Sequence, residues 1–141
     1  MTRREVVRVR DVALVMGGAT PRTAEPAFWA GTIPWLTPKD LSDRPARYTD
    51  RGTRFITDRG LGSSSARLLP AGSVLLTSRA PIGLVTIASA PIATNQGFKS
   101  LVLDDTQCPE YWYYLLASSR DYLHSVANGS TFLEISGKVV G

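Results

Sequence analysis

The side chains in this chain best equipped to do chemistry are its arginines. Of 16 basic residues 13 are arginine, set against 12 acidic residues, for a net charge of +4. Their placement is uneven. Residues 1–103 carry 14 basic and 7 acidic side chains, whereas residues 104–141 carry 2 basic and 5 acidic. One basic stretch is Arg3, Arg4, Arg8 and Arg10 against Glu5. The other runs from Lys39 to Arg67, with seven basic residues (Lys39, Arg44, Arg47, Arg51, Arg54, Arg59 and Arg67) against four acids. The planar guanidinium fork matches phosphate oxygens and the guanine edge. The distribution therefore points to an anionic partner, with nucleic acid foremost; an arginine-rich solvated surface is the plainer alternative.

Catalytic chemistry finds little to work with. A single cysteine, Cys108, excludes an internal disulfide, and with the single histidine, His124, it cannot furnish a zinc site dominated by His and Cys ligands. There is no Gly-x-Ser-x-Gly elbow, Walker loop or Gly-x-Gly-x-x-Gly. Gly60-Leu61-Gly62 lacks the third glycine. An Asn-Pro-Pro-aromatic stretch and a loop for S-adenosylmethionine are both missing, and Glu134 with Lys138 has no upstream acid to complete a nuclease site. No enzyme, cofactor or metal is expected. No apolar run approaches the roughly 20 residues of a membrane helix. Val12–Met16 is too short and is preceded by Asp11. A soluble, cytoplasmic protein is expected, forming a single domain over residues 1–141.

The elements that must carry these residues are mostly short, because 9 prolines and 12 glycines interrupt the chain. Residues 5–16 suit a strand, broken by a turn near Arg10-Asp11, and Gly17–Pro21 a loop. Trp29–Leu36 predicts a strand around a turn, Pro38–Leu41 a single helical turn, and 42–52 an exposed loop. Gly72–Ser78 and Gly83–Ala88 read as buried strands joined by Arg79–Ile82, with a further strand over Lys99–Leu103. Helix signals come last. Pro109 suits a first helical position, and Trp112, Leu115, Leu116, Ser119, Leu123, Val126 and Ala127 share one face before the stop at Asn128-Gly129. Tyr111-Trp112-Tyr113-Tyr114 fits core packing better than base stacking. Thr131–Glu134 has the capping-box form of a second short helix.

From Gly18 onward short motifs follow in a specific order. They are Gly18-Ala19-Thr20-Pro21, Phe28 through Leu41 (FWAGTIPWLTPKDL), Arg54-Phe55-Ile56-Thr57 with Gly60-Leu61, Ser63–Ala66 with Leu68-Leu69-Pro70, and Gly72-Ser73-Val74-Leu75. Ser78–Gly83 (SRAPIG), Ala93–Lys99 (ATNQGFK) and Gly129–Ser136 (GSTFLEIS) complete the series. This succession resembles a target recognition domain of the specificity (S) subunit of type I restriction-modification systems. The resemblance implies an α+β fold: a β-rich recognition domain with a β-helix-like or barrel-like mixed sheet and C-terminal helices. It further implies binding of double-stranded DNA, with one half of a bipartite target read in the major groove. The implied partners are methyltransferase (M) subunits and a restriction (R) subunit, which carry out methylation and cleavage. The family's conserved coiled-coil helix and second recognition domain have no counterpart in residues 1–141, so a second recognition domain or a homodimer is a further expected partner. A truncated or decoy module that binds the methyltransferase without specific DNA recognition is the alternative.

Motifs common to relatives that read different targets cannot by themselves be the code, so Ser78–Gly83 and Thr94–Gly97 are expected to be mainly structural or backbone-contacting. The arginine-rich segment Ser42–Arg59 is the more individual part, and Arg44, Arg47, Arg51 and Arg54 are expected to supply base and phosphate contacts, with Tyr48 beside them. Arg22 is a second candidate. Arg79 either contacts phosphate or serves as a buried anchor. Asn95 and Gln96 carry amides suited to adenine, although a turn in which Asn95 bonds its own backbone is the favoured reading.

Overall fold

The computed structural model describes residues 6–7, 9–121 and 139–140. Strand β1 (Val6–Val7) pairs antiparallel with β10 (Val139–Val140), joining the two ends of the chain. The turn expected near Arg10-Asp11 is one helical turn, α1 (Val9–Val12), which leads directly into β2 (Ala13–Gly17). A 3-10 turn (Pro26–Phe28) precedes β3 (Trp29–Leu36), and α2 (Pro38–Asp43) follows. Then come β4 (Tyr48–Thr49), β5 (Arg54–Ile56), α3 (Asp58–Gly62), β6 (Val74–Leu76) and β7 (Val85–Ala88). The series ends with β8 (Ala93–Thr94), β9 (Lys99–Leu103) and α4 (Pro109–Ser118).

A five-stranded sheet in the order β2-β9-β6-β7-β4 forms the centre; its pairs are antiparallel except β4 with β7. A three-stranded sheet, β5-β3-β8, combines an antiparallel and a parallel pair. The α+β, β-rich class with mixed sheets is therefore what the chain adopts. Among the described residues the strands form separate sheets and close no barrel.

Strand β6 shows why the layers stack as they do. All three of its residues are buried, and their side chains alternate between faces. Val74 and Leu76 join Val9, Ala13, Leu101, Trp112 and Leu116 in a core beneath α4. Leu75 points the other way, into Leu36, Leu41, Leu69, Ala88, Ile92 and Phe98. A third cluster, Ile33, Trp35, Ile56 and Ala93, lies in the three-stranded sheet. The order is thus helix, central sheet, then α2 with the second sheet.

Helix α4 starts at Pro109 as its sequence predicts, and Trp112 is fully buried with its indole N–H donating to Gln107 Oε1 at 2.9 Å. The tyrosines around it depart from a core assignment: Tyr111 and Tyr114 are 39% and 53% exposed. One helix face enters the core, and consecutive residues cannot all lie on it. Leu123, Val126, Ala127, the stop at Asn128-Gly129 and the Thr131–Glu134 capping box lie outside the described residues. Among the described residues no helix is long and apolar enough to cross a membrane.

Candidate nucleic-acid interface

Two arginine-bearing regions meet end to end in the chain. The first is the segment between α2 and β5. Its foundation is Asp40, a carboxylate only 9% exposed. Oδ2 of Asp40 accepts from the Thr37 amide at 2.9 Å and the Thr37 hydroxyl at 3.1 Å, closing a capping box on α2. Oδ1 accepts from the amide and hydroxyl of Thr53 at 3.3 and 3.2 Å. One side chain thus caps a helix and pins the far end of the loop that follows. Gly52 makes this approach possible, since a Cβ there would lie 2.4 Å from Asp40 Oδ2.

Between these anchors the loop displays Arg44, Arg47, Tyr48 and Arg51, all exposed. Arg44 ends α2, its amide donating to the Asp40 carbonyl. Arg51 Nη2 and Nε lie 3.3 Å from Asp50 Oδ2, an exposed pair of little energetic weight. Asp40, Arg44, Tyr48, Asp50, Arg51 and Thr53 line a cleft of about 280 Å3. The Arg47 guanidinium and the Tyr48 hydroxyl reach α4. The Tyr48 hydroxyl donates to Glu110 Oε2 at 2.6 Å, and the Arg47 guanidinium lies 5.4 Å from the Tyr114 ring and 5.8 Å from that of Tyr48. The hydrogen bond from Tyr48 holds the Glu110 carboxyl below its usual range, and the same bond raises the Tyr48 phenol above its own. Arg47 and Tyr48 also secure the loop through the backbone. The Arg47 carbonyl accepts from the Ile87 amide, and β4 pairs with β7.

The second region has an aromatic floor. Trp29 and Trp35 meet edge to face, 5.0 Å apart, and Arg54 lies with Cζ 3.8 Å from the Trp29 ring centre. The indole N–H groups donate to the carbonyls of Arg22 and Ala19, each at 3.0 Å, and so draw the segment after β2 against β3. Arg22 is exposed at its end. The Thr20 hydroxyl donates to Gln96 Oε1 at 2.5 Å, which brings the exposed Gln96 to the same segment. Asn95 Oδ1 accepts from the Gly97 amide at 2.8 Å, so this side chain forms the turn favoured from its sequence. The amides of Ser78 and Arg79 donate to the Gly97 carbonyl. Arg79 itself is exposed, which removes the buried-anchor reading. Its turn is built by Thr77, whose hydroxyl donates to the Pro81 carbonyl and accepts from the Leu84 amide.

Sequence reasoning named the arginines but missed what holds them. Trp29, Trp35, Glu110 and Tyr114 lie far along the chain from the residues they support. It predicts a helical turn at Pro38–Leu41, but neither the Thr37–Asp40 capping box nor the hold of Asp40 on Thr53. Among the described residues no group of His, Cys, Asp or Glu is placed to hold a metal ion.

The chain is thus a mixed-sheet α+β domain with exposed arginines on braced loops. Residues 1–140 match the model of the type I restriction modification DNA specificity domain, and the chain belongs to that family. It is similar to the MjaIX type I restriction enzyme specificity subunit of Methanocaldococcus jannaschii, with 44% identity over 138 residues, 96% of this chain and 32% of that protein. It also resembles the HindI specificity subunit of Haemophilus influenzae, 28% identical over 129 residues, 90% of this chain and 28% of that protein. The chain thus spans about a third or less of the length of these relatives. Its fold matches the crystal structure of the HsdS subunit from Thermoanaerobacter tengcongensis with a TM-score of 0.67 at 20% identity, covering 98% of this chain and 32% of that one. A second structure, from work on assembly and conformational transition of the type I R-M system, matches with a TM-score of 0.69 at 19% identity, covering 99% of this chain and 33% of that one.

Proposed function

We propose that this domain binds double-stranded DNA sequence-specifically and reads one half of a bipartite target for a type I restriction-modification system in a prokaryotic cytoplasm. The observation that carries this reading is the match of residues 1–140 to the DNA specificity family. The exposed arginines are the physical means. Arg44 and Arg51 line an open cleft, Arg54 lies on the aromatic floor, Arg22 and Gln96 are tied to the segment after β2, and Arg79 is exposed on the turn that bonds Gly97. In this reading Arg47, Tyr48 and Asn95 contribute mainly by holding loops in place, since each is engaged within the domain. The domain carries out no covalent step. Methylation and cleavage belong to the M and R subunits that it directs, and the other half of the target needs a second recognition domain, in the same polypeptide or in a second copy. Affinity in such an assembly is shared between tethered sites, so one domain alone binds weakly.

The test is selection from a randomised duplex library at about 50 and 200 mM salt, with the retained DNA sequenced. Enrichment of a motif of a few base pairs is expected. Failure to retain DNA even at the lower salt contradicts the reading and favours the decoy that binds only the methyltransferase.

A further inference from the structure

Arg54 is held differently from the other exposed arginines. Its guanidinium carbon lies 3.8 Å from the Trp29 ring centre and 5.4 Å from that of Trp35. Arg47, by comparison, is no nearer than 5.4 Å to either of its tyrosine rings. The indoles beneath Arg54 are themselves fixed. Trp35 is 2% exposed, each N–H is used by a backbone carbonyl, and the rings brace one another at 85°. Strand β3 bulges between Trp29 and Ile33, with Ala30 in the left-handed region at φ 61°, and such irregularities re-aim a side chain out of the regular alternation. A stacked guanidinium spends its face on the ring. All five N–H donors lie on its edge, and none of those of Arg54 bonds to another described residue.

A fixed plane with a free edge suits one kind of contact. A phosphate also accepts the guanidinium fork, but its oxygens can be met from many directions. A base edge must be met in its own plane within a narrow angular range. In the major groove guanine offers two acceptors, O6 and N7, side by side, the pattern that a bidentate guanidinium matches. Pre-stacking also lowers the rotamer freedom lost on contact. Building on the DNA-recognition reading above, we propose that Arg54 reads a guanine in the half-site and that Trp29 is the positioning residue that sets the plane of its guanidinium.

The experiment is the same duplex selection at low salt, run with the parent chain, Arg54→Lys, Trp29→Ala and Trp29→Phe, each first checked for a cooperative thermal transition. The parent motif is expected to contain a G·C pair. Arg54→Lys should lower discrimination at that one pair by about 10-fold or more, the scale of a bidentate contact, while leaving the other positions and the salt dependence unchanged because the charge is kept. Trp29→Ala should lose part of the same preference, and Trp29→Phe, whose ring still stacks, should restore it. Should Trp29→Ala fail to fold, Arg54→Lys, an exposed substitution, still decides the matter. A parent motif without a G·C pair, an Arg54→Lys profile like the parent's, or a loss spread evenly over all positions each overturns the proposal. Those outcomes leave DNA recognition standing. If the parent selects no motif, both fall together.

Discussion

The two arginine regions are adjacent in sequence yet supported by different physics. Around Arg54 the support is buried and apolar: Trp35 and Ile56 lie in the core of the three-stranded sheet, and the cation rests on that foundation through Trp29. Between Arg44 and Thr53 the support is polar, made of the Asp40 carboxylate with Thr37 and Thr53, the Tyr48–Glu110 hydrogen bond and the exposed Asp50–Arg51 pair. The first arrangement seats a guanidinium on an aromatic ring. The second fixes a backbone and leaves the Arg44 and Arg51 side chains exposed, Arg51 beside Asp50. On the proposed reading, the same residue type reads an edge in one place and meets a phosphate in another.

The largest effect should come from removing the aromatic floor. Trp35→Ala deletes a buried ring and should cost about 3–5 kcal/mol in denaturant unfolding. A loss below about 1 kcal/mol would mean that the floor is not the buried support described. Asp40→Ala should cost less, about 1–3 kcal/mol, because it leaves the partners at Thr37 and Thr53 without an acceptor. Its distinguishing sign is local. Amide exchange at Thr53 should quicken while that of β3 stays slow, and equal changes in both would erase the distinction between the regions.

The smallest effect belongs to the Tyr48–Glu110 tie, and pH separates it from packing. The Glu110 pKa is lowered by the Tyr48 hydroxyl, so this contribution is present above the ordinary carboxylate range and lost as pH falls through the depressed value. The Tyr48 pKa is raised by Glu110, so its contribution is present below the ordinary phenol range and lost as pH rises through the elevated value. The gap in thermal midpoint between parent and Tyr48→Phe should therefore be widest near neutrality and narrow at both extremes. A gap independent of pH would assign the effect of Tyr48 to its ring alone.

Much of this architecture is legible in the sequence where a local signal exists. The runs at 72–78 and 83–88 contain β6 and β7, and Lys99–Leu103 is β9 itself, because buried strands on a two-faced sheet read as continuous apolar stretches. The single turn expected at Pro38–Leu41 lies within α2, whose cap closes within four residues. By contrast β4 and β8 are two residues each, too short for any alternation to show. The arginines of the site are visible as composition, but their supports are not. Arg54 and Trp29 meet only because β5 pairs with β3, and Tyr48 meets Glu110 across 62 positions of sequence. Nothing local in either partner encodes the encounter. The aromatic run at 111–114 misleads for a related reason: composition suggests a core, and helix geometry admits only Trp112 fully.

Arginine meeting a phosphate backbone makes duplex binding depend on salt. Affinity of the parent chain for a duplex should fall linearly in log–log form as salt rises from about 50 to 200 mM. Arg51→Ala should make that slope shallower by about one unit, and Arg51→Lys should keep it. Binding that ignores salt, or an Arg51→Ala slope equal to the parent's, would contradict the placing of the DNA backbone on this loop.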